Sequence, residues 1–195
     1  MNAPTVWLAS RSPRRAELLR TLGVRFAVLD LEIDESVRQH EAPEDYVARL
    51  ARAKAAAGIA AMPAHAPVLA ADTTVVVDGE ILGKPRDRAD GLRMLDQLAG
   101  RAHTVLTGVA LALPDGSWST VTVCTSVVMR ALSAAEKAAY WSSGEPLDKA
   151  GGYAVQGLGG ALVARIDGSY SNVVGLPLAE TLALLSAAGV PHALT

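Results

Sequence analysis

The hydrophobic residues of this chain fall into short apolar runs that alternate with amphipathic stretches. Apolar runs bounded by Gly, Pro or Asp predict buried strands, and apolar residues spaced three or four apart predict helices. Strands are predicted at residues 5–9, 24–29, 68–71 with 73–77, 104–113, 118–130 and 162–166, and helices at 14–22, 43–59, 87–98, from 133 onward and at 177–188. This mixture predicts an α/β fold with a mixed sheet flanked by helices.

Several element boundaries have specific sequence signals. Ser12 is a good helix N-cap, and Pro13 suits the first position of the helix that follows. Asp78-Gly79 is a strong hairpin signal between two apolar runs. Ser133 and Glu136 form the pattern of a capping box, which predicts that a helix begins there.

Length and composition narrow the class of protein. A chain of 195 residues suits one α/β domain over residues 1–195, with division into two lobes left open. Only 4% of the residues are aromatic, so the core must consist mainly of Ala, Val and Leu. The formal net charge of −2 argues against a nucleic-acid-coating protein, which would usually be basic.

The same counts bear on cysteine chemistry and location. One cysteine excludes both a disulfide within the chain and a multi-cysteine zinc site, and it fits a reducing, cytoplasmic setting. Residues 1–10 lack the basic start and long apolar run of a targeting signal. No uncharged apolar stretch is long enough for a transmembrane helix, which needs about 18 residues.

The segment from Ser10 to Arg15 is the first candidate for chemistry. It joins a predicted strand to a helix N-terminus, where backbone N–H groups and the helix dipole favour an anion. Arg14 and Arg15 add forked donors that match phosphate oxygens. A phosphate site and a simply capped helix with solvated arginines both fit this pattern.

Asp72 is the second candidate, because it interrupts an otherwise apolar run. A charge there is costly to bury unless it is paired or binds a metal, and a strand end that faces a cleft is its expected place. The alternative is a structural Asp that caps a turn or pairs with a basic residue. The cost of burial favours a functional role.

The remaining segments are weaker when taken singly. Lys84 lies between Gly83 and Pro85 without the glycine-rich run of a phosphate loop, so a surface turn is expected. Lys54 falls near an apolar helix stripe, and snorkelling to solvent is the default. Residues 148–157 predict a flexible loop in which Tyr153 could stack on a ligand, and residues 168–177 predict entry into the last helix.

Histidine and cysteine chemistry are not favoured. The four histidines (His40, His65, His103 and His192) lack metal-ligand spacing. Cys124 lies in an apolar run and is expected to be an inert core residue.

Taken together and in order, these segments resemble the Maf family of nucleotide pyrophosphatases. The matching pieces cover nearly the whole chain and are residues 8–15, 49–51 with Lys54, 71–73, 82–85, Gly100 with His103, 148–157 and 168–177. The resemblance implies a fold like that of inosine triphosphate pyrophosphatases, with an elongated mixed sheet and two lobes around a cleft. It also implies cleavage of a nucleoside triphosphate between its α and β phosphates.

The resemblance further implies roles for individual residues. Asp72 matches the catalytic proton acceptor, and Glu35 and Asp72 match the acidic positions near a divalent metal, Mg²⁺ or Mn²⁺. Glu32 and Asp34 remain alternatives to Glu35, because this segment aligns least securely. The positions that match phosphate-binding residues of the family are Ser10, Arg14, Arg15, Lys54 and Lys84.

The base preference follows from particular residues of the resemblance. Residues 148–151 and Gln156 are similar to the branch that acts on dTTP and UTP, in which modified pyrimidine nucleotides are further candidate substrates. Arg14, Thr73 and Gln156 match positions linked to specificity. The family is cytoplasmic and often dimeric, so a homodimer is left open, and no nucleic-acid or membrane partner is expected. Its purpose, nucleotide-pool cleaning or control of septum formation, is also open.

The predicted mechanism is metal-assisted hydrolysis in which Asp72 activates water for attack on the α-phosphorus. One alternative is a nucleotidyltransferase, which would form a nucleotide sugar from UTP and a sugar phosphate. It would normally have a more glycine-rich first loop. The other is a regulator of cell division that binds nucleotide without turnover. The full set of acidic and basic positions argues against that regulator.

Overall fold

The computed structural model describes residues 4–62 and 66–195, so His65 lies outside the described residues. The strands are β1 (Val6–Ala9), β2 (Phe26–Leu29), β3 (Val68–Val77), β4 (Glu80–Leu82), β5 (Ala102–Ala112), β6 (Trp118–Met129) and β7 (Val163–Asp167). The α-helices are α1 (Pro13–Thr21), α2 (Pro43–Ala61), α3 (Arg88–Leu98), α4 (Ala134–Ser142), α5 (Tyr170–Val174) and α6 (Leu178–Ala187). Short 3-10 helices lie at Glu145–Asp148, Ala150–Gly152 and Gly157–Leu162.

Within the described residues, seven strands form one mixed sheet. Its order is β2-β1-β3-β5-β6-β7, and β4 pairs with β3. The β1 strand is parallel to both β2 and β3, whereas the β3–β4 and β6–β7 pairs are antiparallel. The predicted α/β class with a mixed sheet and flanking helices is confirmed.

The chain forms two compact units. Unit 1 contains Met1–Asp72, Thr107–Val123 and Gly175–Thr195, and unit 2 contains Thr73–Leu106 and Cys124–Val174. The single domain over residues 1–195, and the cleft between lobes, stay predictions.

Strand alternation gives unit 1 a core on each face of its part of the sheet. Val6 and Leu8 of β1 pack with Leu19 of α1 and Leu185 of α6. The intervening positions face the other way and pack with α2, in a layer built from Ala9, Ala51, Ala55, Val68, Ala70, Ala110 and Ala112. Since side chains alternate along a strand, alternate residues of one strand belong to the two layers.

Small residues let α2 lie close to the sheet. A Cβ on Gly108 of β5 would be 2.5 Å from the carbonyl oxygen of Val47 in α2. A Cβ on Gly58 of α2 would be 2.6 Å from a methyl group of Val68. With alanines filling the rest of this layer, the backbone of α2 approaches β3 and β5 directly.

Unit 2 has its own core beneath α3 and α4. Val75, Val77, Val105 and Val127 of the sheet pack with the buried side chains of the two helices and of the 3-10 region, which are Met94, Leu95, Leu98, Tyr140, Tyr153 and Leu162. Helices α3 and α4 meet closely, because a Cβ on Gly91 would clash with the ring of Trp141 at 2.1 Å.

The local signals in the sequence predict the ends of several elements correctly. Ser12 accepts a hydrogen bond from the Arg15 amide, and Ser133 and Glu136 form both bonds of the capping box. Asp78 and Gly79 have φ of 51° and 79°, so the β3–β4 hairpin closes on the two left-handed residues that a type I′ turn requires.

One helix and one cysteine differ from expectation. Residues 170–174 form a helical turn of their own, α5. Cys124 is exposed, so its assignment as a core residue is wrong. Thr122 and Cys124 are the exposed positions of this part of β6, while Thr125 beside them is buried. In residues 4–62 and 66–195, no helix has the length and apolar character needed to cross a membrane.

Candidate functional site

The side of the sheet on which Asp72 lies follows from the alternation along β3. Val68 and Ala70 face α2, whereas Leu69 and Ala71 face the layer with α1 and α6. The same alternation directs Asp72 toward α2. Asp72 is 7% exposed, so its carboxylate requires a charged or hydrogen-bonding partner.

Helix α2 supplies that partner. Lys54 lies three residues after Ala51 and four before Gly58, both buried against the sheet, and therefore on the same side of the helix. Its Nζ donates to Asp72 Oδ1 at 2.6 Å, and its side chain is 13% exposed. The default expectation that Lys54 snorkels to solvent is wrong, because the buried carboxylate binds its ammonium group.

Glu35 joins the same cluster from the loop between β2 and α2. Its Oε1 lies 2.6 Å from Lys54 Nζ, so one ammonium group contacts two carboxylates. The two contacting oxygens are therefore no farther apart than twice that distance. Glu35 is the more exposed of the pair, with 48% of its side chain accessible.

A second set of contacts holds the Glu35 loop on α2. The Tyr46 hydroxyl donates to the Glu35 carbonyl oxygen at 3.0 Å, and Arg49 Nη2 donates to the Ser36 carbonyl oxygen at 3.0 Å. Arg49 also donates to both oxygens of Glu41, at 2.5 and 2.7 Å. Its guanidinium lowers the pKa of Glu41 to about 2. Tyr46 and Arg49 thus fix the loop to the helix that contains Lys54.

The other two acidic candidates in this loop have different partners. Glu32 and Asp30 lie beside Arg11, at 3.6 and 3.3 Å, and all three side chains are exposed. Asp34 Oδ1 accepts a hydrogen bond from the Ser36 amide, which lowers the pKa of Asp34. Of the three acidic positions considered, Glu35 is the one that shares Lys54 with Asp72.

The Asp72 and Glu35 carboxylates fit a hard divalent cation. Mg²⁺ is usually bound by one or two protein carboxylates, with water and substrate phosphates as its other ligands. No group of three or more His, Cys, Asp and Glu side chains in the described part of the chain could hold a metal ion alone. The arrangement therefore fits a cation that binds together with a phosphorylated substrate.

The loop after β1 brings Ser10 and Arg15 together. Ser10 is buried, and its Oγ accepts hydrogen bonds from the Ser12 amide at 3.2 Å and from Arg15 Nη1 at 3.3 Å. Arg15 Nε donates to the Gly175 carbonyl oxygen at 2.8 Å. Burial lowers the pKa of Arg15 and the nearby Arg14 lowers it further, while Asp72 and Glu35 raise it. Arg15 therefore lies within the electrostatic field of the two carboxylates.

The position of this cluster follows from the strand order. From β1 the chain passes through α1 to β2 on one side, then through α2 to β3 on the other side. The parallel pairing of β1 with β3 ends at Ala9 and Ala70, so Ser10 and Asp72 follow the end of that pairing. Ligands of open α/β sheets bind at such switch points. Asp72 itself is within β3, which continues to Val77, and not at a strand end as predicted.

The other predicted site residues belong to unit 2. Thr73 is half-buried in β3, Lys84 is exposed in the loop after β4, and Gln156 is half-buried just before the last 3-10 helix. The Gly151 amide donates to the Gly83 carbonyl oxygen at 3.0 Å. That bond joins the loop containing Lys84 to the 3-10 region, of which Gln156 is part.

Tyr153 is unavailable for stacking on a ligand, contrary to the possibility raised from sequence. It is 5% exposed, and its hydroxyl lies 2.7 Å from His103 Nε2. The two rings meet edge to face, with centroids 5.3 Å apart. Burial lowers the pKa of His103 to about 4 and raises the pKa of Tyr153, so this is a neutral buried pair.

Sequence reasoning missed the residues that position the candidate site. Arg49 and Glu41 were not linked to Glu35, and Tyr140 and Glu145 were not linked to Gln156. Each of these pairs joins a residue of an α-helix to one outside that helix, and no periodicity predicts such a contact. The cluster of glycines from Gly157 to Gly160 was the available signal, because glycine permits close approach of the backbone to another group.

Several known proteins are similar to this chain. A family described as "Maf-like protein" matches residues 5–188. A dTTP/UTP pyrophosphatase from Methylobacillus flagellatus is 54% identical over 97% of this chain and 96% of its own length. One from Myxococcus xanthus is 56% identical over 94% and 92%. The solved structure of the Ham1 protein from Staphylococcus aureus has a TM-score of 0.48 at 16% identity, covering 64% of this chain and 71% of that one.

The match to the family spans β1 through α6, and the identity to each relative holds over nearly all of both chains. The chain therefore belongs to the Maf-like protein family.

Proposed function

We propose that this chain hydrolyses dTTP and UTP to their monophosphates and pyrophosphate. The observation on which the chemistry rests is the buried Asp72 carboxylate, held at 2.6 Å from Lys54 beside the end of the β1–β3 pairing. The substrate is supported by the relatives named dTTP/UTP pyrophosphatase at 54% and 56% identity. Modified pyrimidine triphosphates are further candidate substrates.

In the proposed reaction, Asp72 accepts a proton from water as the water oxygen attacks the α-phosphorus. A bond forms between that oxygen and phosphorus, and the bond from the α-phosphorus to the oxygen bridging it to the β-phosphorus breaks. The electron pair leaves with pyrophosphate. Lys54 holds Asp72 in place and keeps positive charge beside the reacting group.

The basic residues would stabilise the negative charge of the leaving pyrophosphate. In unit 1, Arg14, Arg15 and Ser10 lie where β1 leads into the N-terminus of α1, a position suited to phosphate oxygens. Arg15 is oriented by Ser10 and Gly175, so its guanidinium is already fixed before substrate binds. Lys84 is proposed as a further phosphate contact.

Glu35 and Asp72 would hold the divalent cation, Mg²⁺ or Mn²⁺. When bound, such a cation neutralises charge on the phosphate oxygens and polarises the phosphorus centre. Both carboxylates contact Lys54. A bound cation would therefore share these carboxylates with the lysine or displace the lysine from one of them.

Base recognition is proposed for Gln156, with contributions from Thr73 and Arg14. The Gln156 side chain has both a hydrogen-bond donor and an acceptor, which match the paired acceptor and donor on the edge of uracil or thymine. A cytoplasmic location, a homodimer and a role in nucleotide-pool cleaning complete the proposal and follow from the family resemblance.

The Asp72→Asn variant tests the proposed base directly. It keeps the shape of the side chain and removes its ability to accept a proton, so pyrophosphate release from dTTP with Mg²⁺ should fall about 10²- to 10⁴-fold. Asp78→Asn is the matched control, because Asp78 is exposed in the β3–β4 turn and Asn also accepts a left-handed conformation. If Asp72→Asn releases pyrophosphate at a rate within about tenfold of wild type, Asp72 is not the general base.

A panel of triphosphates tests the substrate assignment. The wild-type protein should release pyrophosphate from dTTP and UTP faster than from CTP, ATP or GTP, and only with a divalent cation present. Equal turnover of purine triphosphates would contradict the assignment to the dTTP and UTP branch. Formation of a nucleotide sugar when a sugar phosphate is added would instead indicate a nucleotidyltransferase.

A further inference from the structure

The segment from Ala154 to Gly159, which contains Gln156, is held by two side chains that no catalytic role requires. Glu145 Oε1 accepts hydrogen bonds from the Gly159 amide at 2.8 Å and from the Tyr140 hydroxyl at 2.8 Å. Glu145 Oε2 accepts from the Leu158 amide at 2.9 Å. The Tyr140 hydroxyl in turn accepts from the Ala154 amide at 3.1 Å. One connected pair therefore fixes the backbone on both sides of Gln156.

The glycines of the segment show how closely it surrounds this pair. A Cβ on Gly157, whose φ is 73°, would lie 2.5 Å from Glu145 Oε2. A Cβ on Gly159 would lie 2.2 Å from the Ala154 carbonyl oxygen and 2.5 Å from the Tyr140 hydroxyl. At Gly157 and Gly159 the backbone is thus packed against the carboxylate and the phenol with no room for a side chain, and Gln156 directly precedes the first of these glycines.

The orientation of the Gln156 side-chain amide determines whether it can discriminate uracil from cytosine. Uracil and thymine offer an acceptor at O4 beside the N3–H donor, whereas cytosine offers an N4 donor beside an N3 acceptor. A glutamine amide matches either edge, since rotation by half a turn exchanges its oxygen and its NH₂ group. The residue type alone therefore gives little discrimination between these bases. Discrimination requires that the position and rotation of the amide be fixed by its surroundings.

We propose that Glu145 and Tyr140 are positioning residues that fix the 154–159 segment and thereby let Gln156 select uracil and thymine over cytosine. This inference rests on the proposed function, because it assumes that Gln156 contacts the base. Glu145 and Tyr140 act through the backbone and do not contact substrate. Their loss should affect the recognition of the base more than the rate of the chemical step.

Glu145→Gln and Tyr140→Phe test the proposal, with kcat and KM measured for UTP and CTP. Glu145→Gln replaces one accepting oxygen with an NH₂ group that cannot accept from the Leu158 or Gly159 amide. Tyr140→Phe removes the hydroxyl that joins Glu145 to the Ala154 amide. In both variants KM for UTP should rise about tenfold, the preference for UTP over CTP should fall about tenfold, and kcat for UTP should stay within about threefold.

A double-mutant cycle shows whether the effect passes through Gln156. In a Gln156→Ala background, Glu145→Gln should cause little further loss of the UTP preference, because the group it positions is already absent. Full additivity of the two losses would overturn the proposal. An unchanged preference in folded Glu145→Gln and Tyr140→Phe would also overturn it, and if one variant fails to fold, the other decides.

Glu136→Gln is the matched control for general destabilisation. Glu136 accepts hydrogen bonds from Ser133 in the capping box of α4, the helix that contains Tyr140. It also pairs with Arg130, and both of these partners lie outside segment 154–159. It should lower the unfolding temperature and leave the UTP preference unchanged. An equal loss of preference in Glu136→Gln would contradict a specific role for Glu145. Absence of pyrophosphate release from UTP by the wild-type protein would instead refute the proposed function, before any variants are compared.

Discussion

Lys54 contacts two carboxylates whose mutual repulsion would otherwise be large in a mostly buried place. Both Glu35 and Asp72 lie 2.6 Å from its Nζ. Like charges this close repel each other, and a positive group between them offsets that repulsion. Lys54 therefore serves the proposed chemistry before any substrate binds, because it holds the two carboxylates together beside the end of the β1–β3 pairing.

We predict that Lys54→Met lowers kcat/KM for dTTP at least about 100-fold, because it removes both this positive charge and a phosphate contact. It should also destabilise the protein by about 3 kcal/mol, since it leaves the buried Asp72 without its partner. Initial rates of pyrophosphate release and urea unfolding measure the two effects.

The matched control for that change is Lys137→Met. The Lys137 side chain is 16% exposed, much like that of Lys54, but its partner Asp96 is 61% exposed. Since the Asp96 carboxylate remains in contact with water when the lysine is removed, this pair should contribute about 1 kcal/mol or less. Similar losses of activity in both variants would show that Lys54 has no special role.

Helix α2 positions most of the charged cluster in unit 1, which consists of Lys54, Asp72 and Glu35. It holds Lys54 toward Asp72, and through Tyr46 and Arg49 it also holds the loop that contains Glu35. Its distance from the sheet is set by alanines and by Gly108, so the position of the helix decides the position of the charged groups. A small shift of α2 would move Lys54 and Glu35 together relative to β3.

Gly108→Ala should reveal this dependence. The new Cβ would lie 2.5 Å from the Val47 carbonyl oxygen, which is backbone and cannot rotate away, so α2 must shift. We expect a destabilisation of about 1–3 kcal/mol, together with a fall in kcat/KM for dTTP. Denaturant unfolding and steady-state kinetics test the two effects.

Gly83→Ala is the control for the stability measurement, because a Cβ there meets nothing within 4 Å. If Gly108→Ala were as stable as Gly83→Ala, close packing of α2 would not be needed.

Contacts between neighbours in sequence could be predicted for this molecule, whereas contacts between distant segments could not. The helix caps and the β3–β4 hairpin depend on neighbours within a few residues, and the sequence contains those signals. The partners of Lys54 and Tyr153, Asp72 and His103, lie 18 and 50 residues away along the chain, and no local signal predicts them. A lysine beside an apolar stripe snorkels unless a buried carboxylate faces it, and only the alternation of β3 opposite α2 shows that Asp72 does.

The same long-range burial makes the stability of the whole fold depend on pH through His103. Its pKa is 6.5 when unfolded and about 4 in the folded protein, because burial disfavours the charged ring. Below pH 6.5 the unfolded chain takes up a proton that the folded chain does not, so the free energy of unfolding falls as pH falls toward 4. From pH 7.5 to 5 this contribution should lower stability by about 2 kcal/mol.

His103→Gln removes the titrating group and provides the comparison. Its overall stability should be lower, but the part of the pH dependence due to His103 should be absent between pH 7.5 and 5. Urea unfolding at several pH values measures both proteins. Identical pH dependence in the two would show that His103 does not resist protonation in the folded state.

The core shared by β1 and α6 has a consequence for the synthesis of this protein. Val6 and Leu8 are buried against Leu176 and Leu185, which the ribosome adds some 170 residues later. Chains grow from the N-terminus at about 5–20 residues per second, so β1 must wait several seconds or longer for these two packing partners. During that interval the apolar surface that they cover is available to chaperones and to other nascent chains. Slow translation, or premature release before residue 185, is therefore expected to favour aggregation over folding.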